Sequence, residues 1–142
     1  MQIDDLYQEI ILDHYKHPRR AKVIPDAEAL VDEENPTCGD HIKLNARVAR
    51  DRIEDVEIDC QGCAICTASA SMMAERVPGQ SIADVRRFAS AFAEMMRGGA
   101  EIPEDELGDL TALCGVRQYP LRVKCATMPW HALENALKKL GV

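Results

Sequence analysis

The chain lacks any apolar run approaching the roughly 20 residues that span a bilayer, so no membrane partner is expected. It also lacks a secretory start. Met1-Gln2-Ile3-Asp4-Asp5-Leu6 is acidic and polar, without the basic lead and apolar stretch of a signal, and a cytoplasmic protein is the expectation. Positive charge is short too: 17 Lys and Arg face 24 Asp and Glu, for a formal net charge of −7. That argues against nucleic acid as a main partner, because phosphate binding needs a basic face. No internal repeat, low-complexity tract or dividing linker interrupts the 142 residues, so one domain over 1–142 is expected.

The sequence does contain enough apolar material for a core. Apolar residues make up 46% and charged residues 29%, a globular composition. A chain of this size buries roughly 70% of its unfolded surface. Basic residues cluster at Lys16, Arg19, Arg20 and Lys22, and again at Arg117, Arg122 and Lys124. They read as solvated surface or as a face for an acidic patch on another protein. Six cysteines stand at 38, 60, 63, 66, 114 and 125. A reducing compartment disfavours a disulfide framework, and clustered cysteines there point to metal or sulfur chemistry.

Periodicity outlines the elements. Ile3, Leu6, Tyr7, Ile10, Ile11 and His14 share one face of a helix over 3–16, which Pro18 ends. Turn signals follow through Pro25 and Asn35-Pro36, with a short strand near 29–33. Ile42, Leu44, Ala46 and Val48 alternate with polar residues, and Ile53, Val56 and Ile58 do so less regularly. A hairpin over 41–60 with its turn at Asp51 is expected. A small-residue helix over 63–76 ends at Pro78-Gly79. Ser81 with Asp84 is a capping-box signature for a helix carrying Ile82, Val85, Phe88, Phe92 and Met95 inward, and Gly98-Gly99 stops it. Leu107, Leu110 and Leu113 suggest a short helix before Gly115. A last helix is expected after Thr127 as N-cap, with Pro129 in its first turn and a stripe of Trp130, Leu133, Leu137 and Leu140. The order helix, small antiparallel sheet, several helices is α+β.

Four side chains are candidates to converge. Cys38 and Asp40 flank Gly39, and in extended backbone residues two apart point the same way. Zinc accepts mixed thiolate and carboxylate ligands. Cys63 stands where a helix should begin, and free N–H groups there favour a thiolate. Cys125 is expected just ahead of a helix, behind Lys124 and Arg122, whose charges favour the same form. Spacing alone leaves open both a metal site and buried structural cysteines. The run Cys60-x-x-Cys63-x-x-Cys66 admits a local cluster loop, a redox dithiol, or small apolar packing of Cys60 and Cys66. The last is favoured, and Cys114 is expected in the core. His14 and His17 read as a solvated basic helix end rather than a metal pair. His41 is a nearby base, a spare ligand or an exposed strand residue, and His131 has no evident partner. Met72-Met73 and Met95-Met96 read as core filler.

Leu12-Asp13-His14-Tyr15-Lys16, Asn35-Pro36-Thr37-Cys38-Gly39-Asp40, Gly62-Cys63-Ala64-Ile65, Ser69-Ala70-Ser71-Met72-Met73 and Lys124-Cys125-Ala126-Thr127 run in order along the chain. Together they closely resemble the SufU-type branch of the IscU-like (NifU N-terminal) family of iron–sulfur cluster assembly. The resemblance implies the IscU-like fold, with a three-stranded antiparallel sheet and packed helices. It implies a zinc site of Cys38, Asp40, Cys63 and Cys125, with Cys38 receiving sulfur from a SufS-type cysteine desulfurase, so that the chain acts as a sulfurtransferase-like co-substrate. A downstream iron–sulfur scaffold or an apo-protein would take that sulfur onward. The branch carries an insertion between its second and third site cysteines, and lysine where scaffolds have histidine before the last one. Here 61 residues separate Cys63 from Cys125, and Lys124 holds that position. Arg122 matches the branch's arginine; with Lys124 it would orient the partner. Cys60 and Cys66 depart from the glycine and serine typical of relatives. The alternative reading is a scaffold on which the same residues ligate iron or a transient [2Fe–2S] cluster.

Overall fold

The computed structural model describes residues 5–36 and 38–142. Thr37 and Ile3, the latter placed on the first helix by periodicity, lie outside them. Three strands form one antiparallel sheet in the order β1 (Val31–Asn35), β2 (Asp40–Ala49), β3 (Arg52–Gln61). The strand expected near 29–33 sits two residues later. The hairpin turn is Arg50-Asp51, with Arg50 at φ 60°, and a register shift at Arg47/Val48 bends the ladder. The period of two puts Ile42, Leu44, Val56 and Ile58 on the buried face. Asp40, at the start of β2, shares that core-facing side.

Helix α1 (Asp5–Lys16) leads into the sheet, and α2 (Ala64–Arg76) follows it. Ala68, Ser69, Ala70, Ser71 and Ala74 are buried on α2; their small side chains let it pack against α1, β3 and the last helix together. Ser69 Oγ gains an acceptor in the Ala126 carbonyl. Helix α3 (Ile82–Met96) begins at Ser81, whose hydroxyl accepts from the Asp84 N–H at 3.1 Å. Phe88 is half-buried. It joins Phe92 and Trp130, with ring centroids 5.3 and 5.6 Å from the indole.

Three expectations are corrected. The short helix before Gly115 is instead α4 (Glu104–Leu107) followed by a 3₁₀ helix, Gly108–Gln118. Leu107, Leu110, Leu113 and Val116 are all buried, and their spacing of three is the 3₁₀ period. The last helix, α5, runs Pro120–Lys139, eight residues earlier than expected. Pro120 has no N–H to leave unpaired at a helix start, and nothing between it and Thr127 breaks a helix. Thr127 is no cap; its hydroxyl donates back to the Val123 carbonyl at 3.1 Å. Pro129 therefore lies inside the helix, and Leu140, at 38% exposure, drops out of the buried stripe. Third, His14 is fully buried rather than solvated, with Nδ1 2.7 Å from Ser71 Oγ and Nε2 2.8 Å from Asp109 Oδ2. It ties α1 to α2 and the 3₁₀ helix, while His17 is exposed.

Candidate metal and sulfur centre

Three element ends meet at one point. Between β1 and β2 the N–H groups of Cys38 and Gly39 donate to the Asn35 carbonyl at 3.2 and 2.8 Å. Gly39 has φ 72°, a left-handed conformation that suits glycine. Cys38 thus sits on a turn, not in the extended backbone expected, and is half-buried. Asp40 enters β2 on the core face at 1% exposure. Its Oδ1 accepts from the Cys63 N–H at 2.8 Å, and its Oδ2 is 3.9 Å from Cys63 Sγ. Gly62 permits this contact: a Cβ there would lie 2.3 Å from Asp40 Oδ1.

Cys63 is the N-cap of α2, and its sulfur accepts from the Cys66 N–H at 3.5 Å. Cys125 is fully buried in the second turn of α5. It is not ahead of a helix as expected, so no free helix N–H groups favour its thiolate. The Cys38 and Cys125 thiols both lean on the Leu121 carbonyl, at 3.8 and 3.9 Å. The donor atoms of Cys38, Asp40 and Cys125 all lie within 4.8 Å of one another. Cys63 stands beside this group, its sulfur 3.9 Å from Asp40 Oδ2 but not within 4.8 Å of all three donors. The fold therefore gathers three of the four side chains named from the sequence into one cluster, with Cys63 beside it through its N–H bond to Asp40.

The donor set fits a soft dication. In a tetrahedral zinc–thiolate site, bonds of about 2.3 Å put neighbouring sulfurs about 3.8 Å apart, and the donor atoms of Cys38, Asp40 and Cys125 lie within 4.8 Å of one another. Asp40 is sealed from water, and no Lys, Arg or His among the described residues forms an ion pair with it. A buried carboxylate without a counter-charge is costly. Burial also pushes the Cys125 thiol up from its ordinary range, and hydrogen bonds with Asp40 and Cys38 push the same way. A bound dication reverses that balance.

Arg122 is exposed at the mouth, and its guanidinium is held protonated by the sulfur of Cys125 first and by that of Cys63 as well. It lines a groove of about 460 Å³ with Cys63, Ile11, Leu12 and Val116. Lys124, also exposed, lines a second groove of about 610 Å³ with Glu33, Pro36, Arg97 and His131. Of the other basic residues, Arg19, Arg20, Lys22 and Arg117 are engaged by surface carboxylates.

The remaining candidates point elsewhere. His41 faces away from Asp40 and pairs with Asp32. His131 is exposed in the middle of α5. Cys66 is fully buried and Cys60 half-buried, their sulfurs 3.5 Å apart. The two thiols share a hydrogen bond, which raises the Cys66 thiol, helped by burial, and lowers that of Cys60. Cys114 is only half-buried, with its thiol pushed up by burial. Sequence reasoning missed the part played by Gly62. Its one visible signal is a glycine immediately before a cysteine at a helix start.

Comparison with known proteins gives a consistent set of likenesses. The family profile described as "NifU-like N terminal domain" matches residues 6–138. The "Zinc-dependent sulfurtransferase SufU" of Bacillus subtilis is 42% identical over 137 residues, covering 96% of this chain and 92% of that one. The "Iron-sulfur cluster assembly scaffold protein IscU" of Streptococcus pyogenes is 39% identical over 138 residues, 97% of this chain and 86% of that one. A crystal structure of a protein described as a SUF-system scaffold, from Fervidobacterium islandicum, superposes with a TM-score of 0.79 at 33% identity. It covers 89% of this chain and 92% of its own. No helix among the described residues is long and apolar enough to cross a membrane.

Proposed function

This chain belongs to the NifU-like N-terminal family, and on that premise we propose that it is a zinc-dependent sulfur acceptor in iron–sulfur cluster biogenesis. Cys38 receives sulfur from the persulfide of a SufS-type cysteine desulfurase in the cytoplasm, and residues 1–142 act as one unit. Cys38, Asp40, Cys63 and Cys125 are the zinc ligands. The observation that carries the reading is an asymmetry within this set. Cys38 and Cys63 are both half-buried while Asp40 and Cys125 are sealed at 1% and 0% exposure, but Cys63 is fixed as the N-cap of α2, its sulfur accepting from the Cys66 N–H, whereas Cys38 stands on a turn. One of three sulfurs is therefore placed to leave and return while the others stay. The name of the Bacillus subtilis relative supports the same reading.

Bound zinc supplies thiolates at neutral pH without redox chemistry of its own. The chain does the rest. The Cys38 sulfur attacks the outer sulfur of the partner's persulfide. The partner's S–S bond breaks, its cysteine leaves as a thiolate, and Cys38 carries the persulfide. Asp40 and Cys125 hold the base of the site. Arg122 and Lys124 present positive charge on either side, where the partner's anionic persulfide must approach. The sulfur then passes to a downstream iron–sulfur scaffold or an apo-protein. The deciding experiment is a desulfurase assay with and without this chain, after metal analysis of the same sample. Wild type accelerates sulfur release and Cys38→Ser does not; equal stimulation by both sinks the reading.

A second reading, a scaffold for [2Fe–2S] assembly, is favoured by the name of the Streptococcus pyogenes relative. Under it the purified chain is brown, with a visible absorption band. Under the first it is colourless and holds zinc.

A further inference from the structure

Beside the four-residue centre lies a second pair of sulfurs that the proposed function does not use. Cys60 is the penultimate residue of β3 and Cys66 lies in the first turn of α2. Their sulfurs are 3.5 Å apart, and the Thr67 hydroxyl is 3.8 Å from Cys60 Sγ. We propose that Cys60 and Cys66 are a peroxide-oxidised dithiol, which closes to a disulfide with hydrogen peroxide and reopens with a thiol reductant.

Access argues for peroxide as the oxidant. Cys66 has no exposed surface. Cys60 opens onto a notch of about 30 Å³ walled by Pro18, Arg19, Ala21, Ile58 and Thr67. A water needs about 10–15 Å³ of such space, so the notch admits a two-oxygen molecule and excludes a tripeptide disulfide. The Cys66 sulfur and the Thr67 hydroxyl both lie within hydrogen-bond reach of the Cys60 sulfur, at 3.5 and 3.8 Å, groups able to stabilise charge on it. Forming a disulfide requires the sulfurs to close to about 2.05 Å. The short Gln61-Gly62 link and rotation about the two Cα–Cβ bonds supply that movement.

The chemistry balances in two steps. Cys60 sulfur attacks one peroxide oxygen, the O–O bond breaks, and the leaving hydroxide takes a proton to become water. Cys60 is then a sulfenic acid. Cys66 sulfur attacks Cys60 sulfur, the S–O bond breaks, and the thiol proton of Cys66 leaves with the oxygen as a second water. Two thiols lose two electrons and two protons, and peroxide becomes two waters. The new bond ties the end of β3 to the turn whose Cys66 N–H caps Cys63 Sγ. Oxidation therefore acts on the cap of the metal-facing helix without consuming a member of the ligand set.

The test uses the full reduced chain loaded with zinc, treated with hydrogen peroxide, alkylated and digested for mass mapping. The expected product is a linked peptide pair joining Cys60 to Cys66, lighter by two hydrogens and separated again by dithiothreitol. Oxidised glutathione yields none of it. In Cys66→Ala, which suits the small-residue helix, the same treatment leaves Cys60 as a sulfenic acid captured by dimedone. The proposal is overturned if both sulfurs stay free at a dose that oxidises Cys114, if Cys60 links to Cys63 instead, or if oxidised glutathione forms the bond as readily. None of these readouts involves a desulfurase, so failure here is distinct from failure of the sulfur-acceptor reading.

Discussion

Gly62→Ala isolates the contact that fixes Asp40. The added Cβ would lie 2.3 Å from Asp40 Oδ1 and 2.9 Å from Cγ, with the Asp40 Cα at 3.1 Å. A carbon–oxygen contact needs about 3.3 Å, so the carboxylate must retreat by about 1 Å. That stretches its 2.8 Å hydrogen bond from the Cys63 N–H beyond useful length. Losing a hydrogen bond to a charged group costs about 1.5–3 kcal/mol. Overpacking costs about 1–3 kcal/mol, but retreat of the carboxylate relieves part of it, so the two do not add. A net loss of about 2–3 kcal/mol follows. For a chain of this length that is a fall in melting temperature of about 6–10 °C. Thermal melts with and without zinc measure it, and metal competition shows weaker retention in the variant. A double-mutant cycle makes the test specific. In an Asp40→Ala background the clashing oxygen is gone, and Gly62→Ala should cost less than about 1 kcal/mol. Equal cost in both backgrounds would refute the argument that Gly62 exists to admit this carboxylate.

Three other perturbations probe the surroundings. His14→Ala removes a buried ring bonded at both nitrogens, and should cost about 2–4 kcal/mol in urea unfolding while leaving zinc content unchanged. A change under about 0.5 kcal/mol would show that the link between α1, α2 and the 3₁₀ helix is idle. Trp130→Phe should be mild, within about 1.5 kcal/mol, because the indole N–H is buried without an acceptor among the described residues and the contacts with Phe88 and Phe92 remain available. A larger loss in the same unfolding assay contradicts it. Cys114 carries a pH dependence. Burial raises its thiol above the ordinary 9.0, so above that value the unfolded chain binds fewer protons than the folded one. Stability is then complete below 9.0 and falls as pH rises toward the folded value. Cys114→Ala should flatten the alkaline limb of a stability–pH curve, and an unchanged limb is the contrary result.

Much of the fold was legible because local chemistry and burial agreed. The alternation through Ile42 and Leu44 is a strand with one buried face, and Ser81 with Asp84 caps α3 as the capping pattern requires. The start of α5 was not legible, because Thr127 and Pro129 imitate an N-cap with proline in the first turn. Only tertiary packing, which buries 125–130 continuously, reveals that the helix is already under way. The burial of His14 was hidden for a related reason. Its neighbours Lys16 and His17 suggest solvent, and its partners, Ser71 and Asp109, lie 57 and 95 residues away. No local pattern carries information at that range.

The earlier start of α5 changes the electrostatics of the centre. A cysteine ahead of a helix would draw on free N–H groups to hold a thiolate. Cys125 lies in the second turn, where those groups are spent on backbone hydrogen bonds, and its surroundings favour the neutral thiol. What remains to stabilise negative sulfur there is the Arg122 guanidinium, three residues earlier, and an ion held in common with Cys38, Asp40 and Cys63. The sulfurs of Cys125 and Cys63 raise the Arg122 guanidinium, but Arg122 is exposed, so solvent screens much of its effect. The larger share then falls to the ion. Cys125 and Asp40 are the two members of the set sealed from water. They should therefore exact the greatest cost when the ion leaves, and the half-buried Cys38 and Cys63 less; of these two Cys63 is held as the N-cap of α2, while Cys38 stands on a turn. The donor that detaches most cheaply is thus the one on the turn, which is what an acceptor that must meet a partner's sulfur requires.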